Sequence, residues 1–167
     1  MEKEKIAEFY YIINPIIKTE EFKKRKKYKH HEESVFIHSI NVAWKTYKTT
    51  KFLRLDYKKA TIGAALHDFY LEDWQKNKIK KPLFKKHGFS HAKKAAENAK
   101  KHYPNLVDKK VENIIKRHMF PLNIIPPFYI ESWIVSIIDK LVSLSILKTP
   151  KKIYKYLGIV GDVWQKQ

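Results

Sequence analysis

An all-α fold of roughly six to eight helices is what this sequence predicts, on three observations. Apolar residues recur at helical spacing along nearly the whole chain. Only four glycines and seven prolines punctuate 167 residues, which suits helices with short connections better than many turns. Serine, aspartate and proline stand where such helices should start and stop.

The first helix covers about residues 3–13, and Pro15 breaks or restarts it before a short helix near 19–27. The basic run KTEEFKKRKKYKHH reads as a solvated helix face, although it could hold an anion. Ser34 caps a helix running to about residue 50, with Ile37, Ile40, Trp44 and Tyr47 on one side. Asp56 caps YKKATIGAALHDFY, whose buried face carries Ala60, Gly63, Ala64 and His67, small enough for close helix approach. Residues 71–89, with Pro82 and Gly88, read as a long basic loop, and loops of that length are usually functional. Ser90 caps the next helix, which Pro104 ends, and Asp108 opens KKVENIIKRHM. The connection PLNIIPP leads to a long helix over about 129–147. A basic tail follows Pro150, with room for one short extra helix. No repeat or composition break divides the chain, so residues 1–167 read as one domain. Its core spans about 30–147, with residues 1–29 and 148–167 packed on it.

Composition narrows the chemistry. Hydrophobic residues make up 44% of the chain and aromatics 14%, well above a disordered profile. Cysteine is absent, which excludes disulfides and thiolate metal sites and leaves nitrogen and oxygen ligands. The net charge of +18 favours anionic partners. Of the basic residues, however, only Arg25, Arg54 and Arg117 are arginine, and phosphate or base recognition prefers arginine forks. No signal segment is evident at the N-terminus, and the most apolar stretch, IESWIVSIIDKLVSLSIL, carries Glu131, Asp139 and Lys140. A cytoplasmic protein without a membrane partner is therefore expected.

Two aspartates and four histidines fall at helix ends or on apolar faces. His38 stands between Val35 and Val42, and His67 and Asp68 end their helix. His91 opens the helix after the long loop, His118 shares a face with Val111, Ile114 and Ile115, and Asp139 lies in SIIDKLVSL. Each alone suits a hydrogen-bonded core residue. Together, imidazoles and carboxylates form the ligand set of divalent transition metals such as Fe, Mn, Ni, Co or Zn. A cation would also answer the cost of burying the carboxylates.

In order and spacing, His38, the pair His67-Asp68 and then Asp139 resemble the HD-domain metal-dependent phosphohydrolase superfamily. The local strings HHEESVFIHSINVAW, AALHDFY and IIDKLVSL carry that likeness over about residues 30–147. His91 in HGFSHAKKAAENA and His118 in IIKRHMFPL extend it to the H…HD…H…H…D pattern of binuclear members. The resemblance implies two metals bridged by Asp68, which is also the catalytic residue it implies. His38, His67 and Asp139 would hold one metal, and His91 and His118 the other. It implies hydrolysis of a phosphomonoester or phosphodiester, nucleotides included, by a hydroxide shared between the metals.

His87, His31, Arg117 and the lysines of 76–86 are substrate-facing candidates with a surface role as the simpler reading. Lys140 points about 100° away from Asp139 around the helix and is expected to pack behind it. His30 and His102 read as solvent-facing. The similar HD-GYP cyclic-dinucleotide phosphodiesterases carry a lysine shortly after the HD pair and a GYP loop. Here FYLEDWQKN follows and no GYP occurs, which argues against that activity. The same six ligands also resemble those of the di-iron inositol-oxygenase group. A non-catalytic nucleic-acid-binding module using the basic surface is the third reading, and it predicts salt-dependent binding. The sequence leaves the substrate, the native metal and the oligomeric state open.

Overall fold

The computed structural model describes residues 2–27, 29–30, 33–70, 87–147 and 149–159. Among these, eight helices follow in order: α1 (Glu2–Ile17), α2 (Glu20–Lys23), α3 (Val35–Phe52), α4 (Tyr57–Leu66), α5 (His87–His102), α6 (Lys109–Arg117), α7 (Ile130–Ser143) and α8 (Lys151–Tyr156). The all-α expectation holds. The one departure among the described residues is a two-residue antiparallel pairing, Lys29↔Ser34 and His30↔Glu33, between β1 (Lys29–His30) and β2 (Glu33–Ser34).

Three of the expected caps form. The side chains of Ser34, Asp56 and Asp108 accept from the backbone N–H of Ile37, Lys59 and Val111. Each satisfies a donor that the first turn leaves without a helical partner. Other boundaries move. Pro15 does not break α1, because burial of Ile12, Ile13, Ile16 and Ile17 on one flank outweighs one lost backbone bond. Residues 19–27 are a short α2 capped by Thr19 and a 3-10 turn over Lys24–Lys27. Within that turn Arg25 is fully buried, so the basic run is not a uniformly solvated face. Helix α4 stops at Leu66, four residues before the end expected for it, leaving His67 as its C-cap. Helix α5 begins at His87 rather than after Ser90, so the loop expected over 71–89 loses its last three residues to the helix. Residues 71–86 lie outside the described residues. Helix α7 ends at Ser143, and α8 takes up the tail.

Helix α3 lies at the centre, buried continuously from Val35 to Trp44, and it packs against both α4 and α7. Helix α1 reaches it through Phe9, whose ring meets Trp44 edge-on at 5.0 Å. Helices α4 and α6 come close at Gly63, where a Cβ atom would lie 2.7 Å from Ile114 Cγ2. That approach matters because each of these two helices ends on a histidine. Among the described residues, no helix is long and apolar enough to cross a membrane.

Candidate metal centre

His67 and His118 occupy the same local position on two helices. Each is the C-cap residue, and each turns its ring back so that Nδ1 lies 2.7 Å from the carbonyl three residues earlier, Ala64 and Ile115. A carbonyl only accepts, so Nδ1–H donates in both rings. Those carbonyls belong to the last helical turns, which have no helical donors of their own. The bonds also fix the tautomer: in a neutral ring, Nε2 presents a bare lone pair.

The close approach of α4 to α6 brings these rings to 4.9 Å between centroids. Helix α3 adds His38, whose ring lies 5.3 Å from that of His67. Helix α7 adds Asp139, held by the burial of Val135, Ile138 and Val142 around it. Asp139 Oδ1 lies 2.9 Å from His38 Nε2 and 3.4 Å from His67 Nε2. Helix α5 packs on α6 through its alanine stripe, Ala92, Ala95, Ala96 and Ala99, and brings His91 to the cluster. Asn98 of α5 also donates to the Phe69 carbonyl at 3.2 Å, tying that helix to the His67-Asp68 turn.

Asp68 divides its two oxygens. Oδ1 meets His91 Nε2 at 2.6 Å and His118 Nε2 at 3.4 Å, while Oδ2 faces His67 Nε2 at 3.5 Å. All six residues singled out in the sequence therefore converge. Two triplets have ligand atoms within 4.8 Å of one another and could hold a metal ion: His38, His67 and Asp139, and His67, Asp68 and His118. His91 reaches them through Asp68. Five of the six are buried, and His91 is the exception at 23% side-chain exposure.

The electrostatics of this cluster are unbalanced. The Nε2 atoms of His67 and His118 are buried without a hydrogen-bond partner, yet both point at carboxylate oxygens. Lone pair facing carboxylate is repulsive unless a proton or a metal ion lies between. Burial alone would lower the His67 pKa, but Asp68 and Asp139 outweigh it and hold the ring at about 9. Burial dominates at His118, whose pKa falls. Burial would raise both carboxylates, but the imidazoles override it: His67 foremost at Asp68, and His38 then His67 at Asp139. Both carboxyls lie well below the usual range. Without a metal the carboxylates thus hold a proton on His67; a divalent cation would take that proton's place, and the inward-facing imidazole and carboxylate set fits one.

Other predicted positions sort themselves by place. Lys140 packs behind the centre as expected, donating to the His118 carbonyl at 3.1 Å and to Ser136 Oγ at 2.9 Å. Ser136 Oγ donates to the same carbonyl at 2.8 Å, so a two-residue clamp holds the backbone that carries the His118 ring. Ser136 and Asn98 have no role predicted from sequence; the one signal for them is a short polar side chain on an otherwise apolar helix face. Arg117 is partly buried at the end of α6, and His102 is solvent-facing as expected. His31, the lysines of 76–86 and the side chains of His30 and His87 lie outside the described residues.

The sequence model of the family described as HD domain matches residues 35–144, about two thirds of the chain. No curated protein and no solved structure gives a match.

Proposed function

The chain belongs to the HD-domain family, and on that premise we propose that it is a metal-dependent phosphohydrolase acting on a phosphomonoester or phosphodiester, with nucleotides among the candidate substrates. The observation that carries this reading is the pair of orphaned Nε2 atoms aimed at Asp68 and Asp139. In this reading His38, His67 and Asp139 would hold one ion and His91 and His118 the second, with Asp68 available to both sets, since Oδ2 faces His67 and Oδ1 faces His91 and His118. When bound, divalent ions supply Lewis acidity, bringing the pKa of water toward neutrality and offsetting charge on phosphoryl oxygens.

The chain's own residues do the positioning. The Ala64 and Ile115 carbonyls fix the tautomers of His67 and His118, so both present Nε2 inward without rearrangement. The Lys140–Ser136 clamp holds the His118 backbone in register with Asp139 on the neighbouring helix face. Asp68 and Asp139, both held well below the usual carboxylate range, stay anionic throughout the physiological range. The partly exposed His91 gives the second set the wetter side of the centre, where an incoming substrate would meet it.

A panel of phosphomonoesters, phosphodiesters and nucleotides, assayed with Mn, Ni, Co, Fe and Zn, tests this directly. Turnover of at least one phosphoester, abolished by chelation, is the expected result. Iron-dependent oxygen consumption without phosphoester turnover would replace this reading with that of a di-iron oxygenase.

A further inference from the structure

One buried cation belongs to none of this. Arg25 lies in the 3-10 turn before β1, outside the family-matched residues, and is 0% exposed while Lys24, Lys26 and Lys27 around it are exposed. Its guanidinium carbon sits 3.6 Å from the centre of the Phe22 ring and 5.3 Å from that of Phe69. These two rings stack at 17° and form an apolar wall beside the guanidinium plane. Nη1 donates to Ser39 Oγ at 3.1 Å. Both contacts adjoin the metal centre: Phe69 follows Asp68 and Ser39 follows His38.

Nε and Nη2 are buried without a partner. These two nitrogens share one edge of the guanidinium, where their N–H bonds run side by side and match two oxygens of one phosphate or carboxylate. The group is thus anchored by one nitrogen and stacked on one face, and its complete bidentate edge is left over. No carboxylate of the described residues lies within ion-pair distance of it, and Asp68 is the main anion whose field it feels. A structural arginine buried this deeply would be expected to spend that edge on a carbonyl or carboxylate of the chain.

We propose that Arg25 is an anion-binding residue, its Nε–Nη2 edge taking two oxygens of a phosphoryl group next to the metal centre. The choice of phosphoryl over carboxylate rests on the phosphohydrolase reading; the two-oxygen anion site does not. The same edge would serve a substrate phosphoryl group or the phosphate released from it, and Ser39 sets its orientation.

Calorimetric titration of inorganic phosphate into the 167-residue protein, metal-free and metal-loaded, tests this without turnover. Arg25→Lys keeps the charge and removes the fork, and Ser39→Ala keeps the fork and removes its anchor. Phosphate affinity should fall about tenfold or more in Arg25→Lys, the scale of about 1.4 kcal/mol. It should fall roughly three- to tenfold in Ser39→Ala, since loss of an anchor costs less than loss of the fork. Metal content should be unchanged in both. Thermal melts identify a variant that fails to fold, and the other then carries the test. Wild-type phosphate affinity in the folded variants, or no phosphate binding by the wild type, overturns the proposal and leaves a buried structural cation only. The same preparations separate the two readings. Phosphoester turnover with an unchanged KM and unchanged phosphate affinity in Arg25→Lys sinks the anion site alone. Arg25-dependent phosphate binding without any phosphoester turnover sinks the phosphohydrolase and keeps the anion site.

Discussion

Helix α3 carries a polar cluster at each end, and the two solve the same problem differently. Near its C-terminus, the Glu8 carboxylate of α1 receives hydrogen bonds from Lys51, Tyr47 and Tyr57. Those donors, Lys51 first and Tyr47 next, draw the Glu8 pKa down to about 2. Every charge there is answered by the chain itself. Near its N-terminus, His38 joins two carboxylates and three further imidazoles, and two buried ring nitrogens face the carboxylates without a hydrogen-bond partner. Burial of polar groups thus does not identify a site. An excess of acceptors over donors does, because folding alone leaves it unstable without a cation.

The largest effect that would sharpen this contrast comes from the centre. His67→Ala or Asp68→Ala should abolish metal binding and lower phosphoester turnover by about 10³-fold or more. Glu8→Gln should leave both untouched. A Glu8 variant that lost metal would break the comparison. Next, His91→Ala or His118→Ala should take metal occupancy from two per chain toward one, measured by elemental analysis. Unchanged occupancy would make those histidines structural, like Tyr47 and Tyr57.

Lys140→Met should weaken metal affinity by about 10–100-fold, the usual scale for a residue that orients a ligand from behind. Chelator competition measures it, and an unchanged affinity would assign the clamp to stability alone. Gly63→Ala forces a Cβ against Ile114 and should cost about 1–3 kcal/mol in denaturant unfolding. Because it separates the ends bearing His67 and His118, metal affinity should fall as well.

The smallest effect is a pH dependence at the other cluster. The Glu8 pKa is depressed from 4.5 to about 2, so its contribution is complete above pH 4.5 and is lost as pH falls toward 2. Melting temperatures across that window should fall more steeply for the wild type than for Glu8→Gln. Parallel curves would show that Glu8 gains nothing from its three donors.

Much of the centre was legible because its residue types are expensive to bury. His67-Asp68 among alanines and Asp139 among isoleucines each demand a partner that offsets their desolvation. The caps at Ser34, Asp56 and Asp108 were legible for a local reason, since one side chain satisfies one nearby N–H. What stayed hidden depends on tertiary contact. Pro15 reads as a breaker, and only the burial of its four isoleucine neighbours keeps it helical. Ser90 reads as a cap, but α5 starts three residues before it. Arg25 sits in a run of lysines whose charge says solvent, and the Phe22 and Phe69 rings it packs against are forty-seven residues apart in sequence.

Elemental analysis of the 167-residue protein purified without added metal is the decisive measurement. About two divalent transition-metal ions per chain are expected, retained through dialysis and lost together with the Asp68 carboxylate. A wild-type protein with no measurable metal content, and no affinity for added Mn, Fe, Co, Ni or Zn, would contradict the metal-centre reading.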